Sequence, residues 1–123
     1  MGDDDPTVTN PDHYSVLWEN DLVRVLEYHD EPGEATTPHH HPNSVMVTLT
    51  GFRRRLFSGG RAVDVELPAG RAVWLGAQRH AGENTGDSPT RTIIVELKGE
   101  AAGEDTGSAL GPDSVGAPAD RPN

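Results

Sequence analysis

The feature that most constrains this fold is a series of short β-rich runs separated by turn residues. No apolar pattern at helical spacing continues between residues 13 and 98. Glycine, proline and asparagine punctuate the runs, as in the hairpin signal Ser58-Gly59-Gly60. The runs are 15–18, 22–28, 45–50, 52–57, 62–67, 72–75 and 90–97. Regularly spaced short strands of this kind predict an all-β sandwich or barrel.

Two flanking segments, 1–12 and 99–123, differ from the rest of the chain in composition. Both are rich in Gly, Pro, Asp, Glu and Ser and carry few large apolar side chains. Such segments bury too little surface to offset the entropy lost on ordering. We therefore predict one folded domain at 13–98, with disordered acidic tails at 1–12 and 99–123.

The formal net charge of −10 belongs mainly to these predicted tails. The tails hold nine acidic side chains and one basic one, whereas 13–98 hold eleven acidic and nine basic ones. A nearly balanced domain has no strongly basic face, so we expect neither a nucleic-acid nor a membrane partner. The chain has no cysteine, which excludes disulfides and thiolate chemistry. No signal peptide or spanning helix is predicted, and we expect a cytoplasmic protein.

Three histidines are the residues most suited to chemistry. His39 and His41 lie two positions apart where a strand is expected to begin, so their side chains point to one face. His80 follows about forty residues later, after the run 72–75. Imidazoles converging from two strands would suit Zn, Fe, Ni, Cu or Mn. On these residues alone a solvated polar turn at His39–His41 and a structural His80 remain equally open.

The residues around these histidines resemble the two motifs of the cupin superfamily. The first motif, G-x5-H-x-H-x3-4-E-x6-G, matches at Gly33, His39, His41 and Gly51. The second motif, G-x5-P-x-G-x2-H-x3-N, matches at Gly70, His80 and Asn84. The resemblance covers residues 13–98 and implies a double-stranded β-helix, or jelly-roll, barrel. It also implies metal ligation by the three histidines, whereas Asn84 is expected to be structural.

The sequence departs from these motifs in ways that bear on the site. Gly76 and Gln78 replace the proline and glycine of the second motif, and the spacing to His80 is one residue short. The glutamate of the first motif is missing, because its position falls on Val45 or Met46. The resemblance therefore implies three neutral ligands, one divalent metal and several open coordination positions.

Three-histidine cupin sites resemble those of thiol, diketone and gentisate-type dioxygenases, which use Fe(II). The resemblance therefore implies a mononuclear Fe(II) dioxygenase or related oxidoreductase acting on a small organic substrate. Fe is the preferred metal, with Zn, Ni, Mn or Cu as alternatives. The alternative functions are a non-catalytic cupin that binds a metal or small ligand, and a Zn- or Ni-dependent isomerase or lyase. Family resemblance also implies a homodimer.

Several further residues are candidates for the pocket or for orienting a ligand. Glu96, a carboxylate in an apolar run, could orient a ligand histidine or pair with Arg24 or Arg91. In 53–55 the side chains alternate, so the middle arginine faces away from its neighbours. Arg53 and Arg55 either meet an anionic substrate or cover a solvated edge. Met46 and Trp74 complete the candidate pocket residues.

Overall fold

A computed structural model describes residues 4–113 of this chain. Within these residues, nine strands and two short helical turns form two antiparallel sheets. The elements are α1 (Pro6–Thr9), β1 (Tyr14–Glu19), β2 (Val23–Asp30), β3 (His39–His41), β4 (Ser44–Thr48), β5 (Phe52–Ser58), β6 (Arg61–Leu67), β7 (Ala72–Leu75), β8 (Gln78–Asn84), β9 (Thr90–Leu97) and a 3-10 helix at Gly99–Ala102. No helix within 4–113 is long and apolar enough to cross a membrane.

The two sheets have the strand orders β1-β2-β9-β4-β7 and β3-β8-β5-β6. Their inward side chains form one core, which includes Leu26, Met46, Phe52, Leu67 and Ile94. The sheets do not close into a continuous barrel, and this arrangement is a jelly roll. The predicted all-β fold class is therefore confirmed.

Two strands, β3 and β8, are absent from the runs predicted by apolar pattern. The inward positions of β8 carry Gln78, His80, Gly82 and Asn84 in place of aliphatic residues. A strand whose buried side is polar or lacks a side chain gives no hydrophobic alternation to detect. These are also the two strands that carry the three histidines.

The structure describes parts of the two segments predicted as tails. Pro6 is fully buried and Asn10 is 6% exposed, and Asp5 caps α1 by accepting a hydrogen bond from Thr7 N at 2.8 Å. Hydrogen bonds and ion pairs connect residues within 4–12 and 99–113 to the sheets. The domain bounds and the disorder of the tails stay predictions. Residues 1–3 and 114–123 lie outside the described residues.

A buried polar network joins the two sheets at one end of the core. Arg54 Nη1 donates to Asp30 Oδ2 at 2.7 Å, and Nη2 donates to the Tyr28 hydroxyl at 2.9 Å. Asn84 donates to Asp30 Oδ1 at 3.0 Å and to Thr90 Oγ1 at 3.3 Å. These contacts fit the structural role that we expect for Asn84. Arg54 is 8% exposed and Asp30 is 1% exposed. With so little solvent available, each charge is stabilised by the opposite charge of its partner.

Replacing Asp30 with alanine should lower the free energy of unfolding by about 3–5 kcal/mol, because it leaves the Arg54 guanidinium buried without its carboxylate. Asp64→Ala is the matched control, since it removes the partner of exposed Arg55 on the same strand. That variant should lose much less stability, because solvent screens the exposed pair. Urea unfolding followed by circular dichroism measures both, and equal losses would contradict the placement of Arg54.

Candidate metal centre

The three histidines meet because β3 and β8 are antiparallel neighbours. His39 lies directly opposite His80 in the register, and His41 is on the same face as His39 two residues later. The side chains are almost fully buried, with 1% of His39, 1% of His41 and 7% of His80 exposed. One ring nitrogen from each lies within 4.8 Å of the others. This clustering fits a metal site.

Each histidine has a hydrogen-bond partner on its Nδ1 atom. His39 Nδ1 lies 2.7 Å from the Thr37 carbonyl oxygen, and His80 Nδ1 lies 2.7 Å from Gln78 Oε1. His41 Nδ1 lies 3.1 Å from Glu96 Oε2. Because all three partners accept, each Nδ1 atom donates a proton to its partner, which leaves Nε2 as the ligand atom of each ring. The donor set offered to an ion is therefore three imidazole Nε2 atoms.

Glu96 makes the contacts expected for two of the roles considered for it, pairing with Arg24 and orienting a histidine of the cluster. Besides accepting from His41, it accepts from Arg24 Nε at 2.9 Å, and Arg24 Nη1 reaches Asp5 Oδ2 at 2.9 Å. Glu96 is 3% exposed, so its charge is balanced inside the protein by Arg24. An unbroken polar chain thus runs from the cap of α1 to a cluster histidine.

Asn10 supports His39 through the backbone of Thr37. Its amide donates to the Thr37 carbonyl oxygen at 3.1 Å, and its Oδ1 accepts from Thr37 N at 2.8 Å. The same carbonyl accepts from His39. Residues 4–12, which the sequence assigned to a tail, therefore help to orient both His39 and His41.

Tyr14 is the site residue that the sequence did not reveal. Its hydroxyl oxygen lies 3.2 Å from His39 Nε2 and 3.3 Å from His41 Nε2. Burial holds the pKa of Tyr14 well above its ordinary value, so the hydroxyl keeps its proton at neutral pH. Tyr14 immediately precedes the predicted run 15–18, and only the pairing of β1 with β2 brings it inward. No local signal marks it.

Burial also sets the charge state of two cluster histidines. Burial, followed by the neighbouring His41, lowers the pKa of His39 to about 3. Burial, followed by His41 and His39, holds the pKa of His80 well below its ordinary range. Both rings are neutral at physiological pH, which is the form that binds a metal.

The histidines line one wall of a cavity of about 50 Å³ between the sheets. Its other walls are largely apolar and include Met46, Phe52, Leu56 and Ile94. Arg54 also lines the cavity, and no other arginine or lysine is among the lining residues within 4–113. A cavity of this size holds a few water-sized groups.

Three predicted pocket residues lie elsewhere. Arg53 and Arg55 point outward, toward Glu66 and Asp64, because the inward positions of β5 fall on the even-numbered residues. The alternation was predicted correctly. Arg54 is the inward arginine, and the exposure of Arg53 and Arg55 fits the alternative of a solvated edge. Trp74 is 39% exposed on the outer face of β7 and does not line the cavity. Met46 does line it, and its contact with a ligand stays a prediction.

The depressed pKa values predict how the metal-free protein responds to acid. The unfolded chain takes up protons on His39 and His80 near pH 6.5, whereas the folded protein resists them, down to about pH 3 at His39. Stability is therefore fully present above about pH 6.5 and is lost progressively as the pH falls toward 3. Thermal unfolding midpoints across this range measure the effect. His39→Gln should flatten the slope, and an unchanged slope would contradict the assigned burial effect.

Comparison with solved structures finds the same architecture in proteins of low sequence identity. A cupin domain from Bordetella pertussis Tohama I is 25% identical over 70% of this chain and 92% of its own, with a TM-score of 0.65. A Klebsiella pneumoniae protein with a double-stranded β-helix domain is 24% identical over 72% and 77%, with a TM-score of 0.56. The polyketide cyclase RemF from Streptomyces resistomycificus is 21% identical over 68% and 63%, with a TM-score of 0.52. No protein-family model and no curated protein sequence matches the chain.

Proposed function

We propose that this chain, whose structural neighbours are cupins, binds one divalent metal ion, preferentially Fe(II), through His39, His41 and His80. We further propose that it acts as a mononuclear dioxygenase or related oxidoreductase on a small organic substrate. The observation that carries the proposal is the donor set. Three imidazoles converge with their Nδ1 protons already engaged, and no carboxylate belongs to the cluster described within 4–113.

A donor set without a carboxylate keeps the charge of the ion high and its remaining positions free. Bound there, the metal would supply Lewis acidity and, as iron, redox chemistry toward O2 and an oxygen-bearing substrate. The carboxylate of Glu96 contacts the outer nitrogen of His41, where it strengthens the basicity of the ring without entering the cluster.

The chain's own groups suit this chemistry in two respects. The Tyr14 hydroxyl, protonated and within 3.3 Å of two Nε2 atoms, can donate a hydrogen bond or a proton to a group that occupies the cavity. The apolar walls formed by residues such as Phe52 and Ile94 exclude bulk water and strengthen polar interactions inside.

A second candidate function is a Zn- or Ni-dependent lyase or isomerase. The Tyr14 hydroxyl favours it, because a neutral proton donor beside a Lewis acid is sufficient for chemistry without electron transfer. RemF, a polyketide cyclase with this fold, is consistent with such a role, although at 21% identity the likeness concerns the fold alone. A third candidate is metal or small-ligand binding without turnover. Homodimer formation and a cytoplasmic location stay predictions.

Metal binding by two variants of β3 tests the proposed ligands. His41→Ala should weaken Co²⁺ or Fe²⁺ binding by more than the roughly 10–100-fold that loss of an outer partner costs. His40→Ala is the matched control, since its side chain lies on the opposite face of β3 and should leave affinity nearly unchanged. Anaerobic titration measures both, with circular dichroism to verify folding. Equal affinities for the two variants would contradict the site.

O2 consumption separates the redox function from its alternatives. The protein loaded with Fe(II) is assayed with diketones, thiols and catechol-like acids, and uptake of O2 with at least one class is expected. Elemental analysis of protein purified without added metal identifies the native ion. Full occupancy by Zn or Ni without O2 uptake would exclude the dioxygenase and leave the lyase or isomerase.

A further inference from the structure

The segment 103–113, here called the strap, lies across the open side of the histidine cavity. Pro112 contributes to the cavity wall together with the three histidines. Gly111 is buried so closely that a Cβ atom there would lie 3.3 Å from Leu56 Cδ1 and 3.5 Å from Val65 Cγ2. Its φ of 84° also favours glycine. The strap therefore fits against the inner side of β5 and β6 at a position that only glycine can occupy without strain.

Gln78 joins the strap to the histidine cluster. Its Oε1 accepts from Gly111 N at 2.7 Å and also faces His80 Nδ1 at 2.7 Å. Its Nε2 donates to the Gly111 carbonyl oxygen at 3.2 Å and to the Gly76 carbonyl oxygen at 3.0 Å. Gln78 is 1% exposed, so no solvent competes for these contacts. One side chain thus holds both the strap and the ring of His80.

The other anchors of the strap are a few hydrogen bonds near the surface. Arg61 donates to the carbonyl oxygens of Gly107 and Ser108 at 2.9 and 3.3 Å. Asp113 N donates to the Trp74 carbonyl oxygen at 2.8 Å. Residues 103–108 are exposed. The exposed part of the strap, 103–108, therefore opens at low free-energy cost, and the contacts of Gly111 are the ones that keep the strap seated.

The cavity under the strap is too small for an organic ligand unless the strap opens. The space under the strap measures about 50 Å³, whereas pockets for organic ligands are on the order of 300–1,000 Å³. A few water-sized groups fit beneath the strap as it lies, and an organic substrate does not. The cover that can leave most readily is the strap, because the remaining lining residues belong to paired strands, apart from Thr36, which is hydrogen-bonded to Gly82 of β8.

We propose that the strap closes the histidine cavity and that Gln78 is a positioning residue that couples strap closure to the orientation of His80. When the strap is seated, Gln78 Oε1 is held in place by Gly111 and fixes the Nδ1 proton of His80. When the strap leaves, the cavity opens to molecules larger than water and His80 loses its fixed partner. The coupling to a bound ion rests on the proposed function, whereas closure of the cavity does not.

The closure is tested on the full-length, metal-free protein with diethyl pyrocarbonate, which modifies accessible imidazoles. Peptide mass spectrometry gives the rate at each histidine, with exposed His29 as the internal reference. In Gly111→Ala the rates at the cluster histidines should rise by about tenfold, because backbone strain and the contact with Leu56 both unseat the strap. Gly107→Ala is the matched control: its φ is also positive, at 81°, but no atom lies within 4 Å of the added Cβ. It should produce a smaller rise.

The coupling is tested by Co²⁺ titration of the same proteins. Gln78→Ala should weaken Co²⁺ binding by about 10–100-fold, as expected for loss of a partner that orients a ligand histidine. Gln78→Glu keeps an acceptor for both His80 and Gly111 N, and it should restore much of the affinity. A merely structural role for Gln78 would lower thermal stability in both variants without this recovery of affinity.

The outcomes separate this proposal from the proposed function. Faster modification in Gly111→Ala together with no Co²⁺ binding by any protein would support the strap and contradict the metal site. Normal Co²⁺ binding with equal modification rates in the wild type and in Gly111→Ala would overturn the strap. Circular dichroism and thermal unfolding show that each variant is folded, so that a general loss of structure is not taken for opening.

Discussion

The rest of the site depends on one constraint: the Nδ1 atom of every cluster histidine is already occupied by an acceptor. A carbonyl oxygen, a carboxylate and an amide oxygen fix the three rings, each from a different part of the chain. Because each Nδ1 atom points outward to its acceptor, the three Nε2 atoms face one another inside the cluster. Without these acceptors, three buried imidazoles would be free to rotate, and their convergence within 4.8 Å would not define a metal site.

The acceptors themselves depend on the two segments that flank the sheets. Asn10 holds the loop carbonyl that orients His39, and Asp5 reaches Glu96 through Arg24. On the other side, Gly111 holds Gln78. Segments that contribute little to the apolar core therefore determine the geometry of the cluster. Their contribution is positional, and polar contacts rather than burial of apolar surface provide it.

The fold and the clustering of the three histidines could be predicted from the sequence, whereas the surroundings of the histidines could not. Alternating apolar residues identified most strands, and the spacing of His39, His41 and His80 indicated one site. The strand β8 was not predicted because its buried positions are polar. The side of β5 that faces inward was left open, because three consecutive arginines fit either alternation. Tyr14 and the packed parts of 4–12 and 99–113 depend on long-range pairing, which composition does not report. In the sequence Gln78 was only a departure from the second motif. In the structure its side chain contacts His80 and Gly111, which glycine at this position could not do.

X-ray absorption spectroscopy of the Fe(II)-loaded, full-length protein tests the central claim most directly, because it reports the atoms bound to the ion. Three imidazole nitrogens completed by oxygen donors are predicted, with no sulfur contribution from Met46, which lines the same cavity. In His41→Ala the imidazole multiple-scattering signal should decrease or the ion should be lost. A shell dominated by carboxylate oxygens, or one identical in the wild type and His41→Ala, would contradict the account.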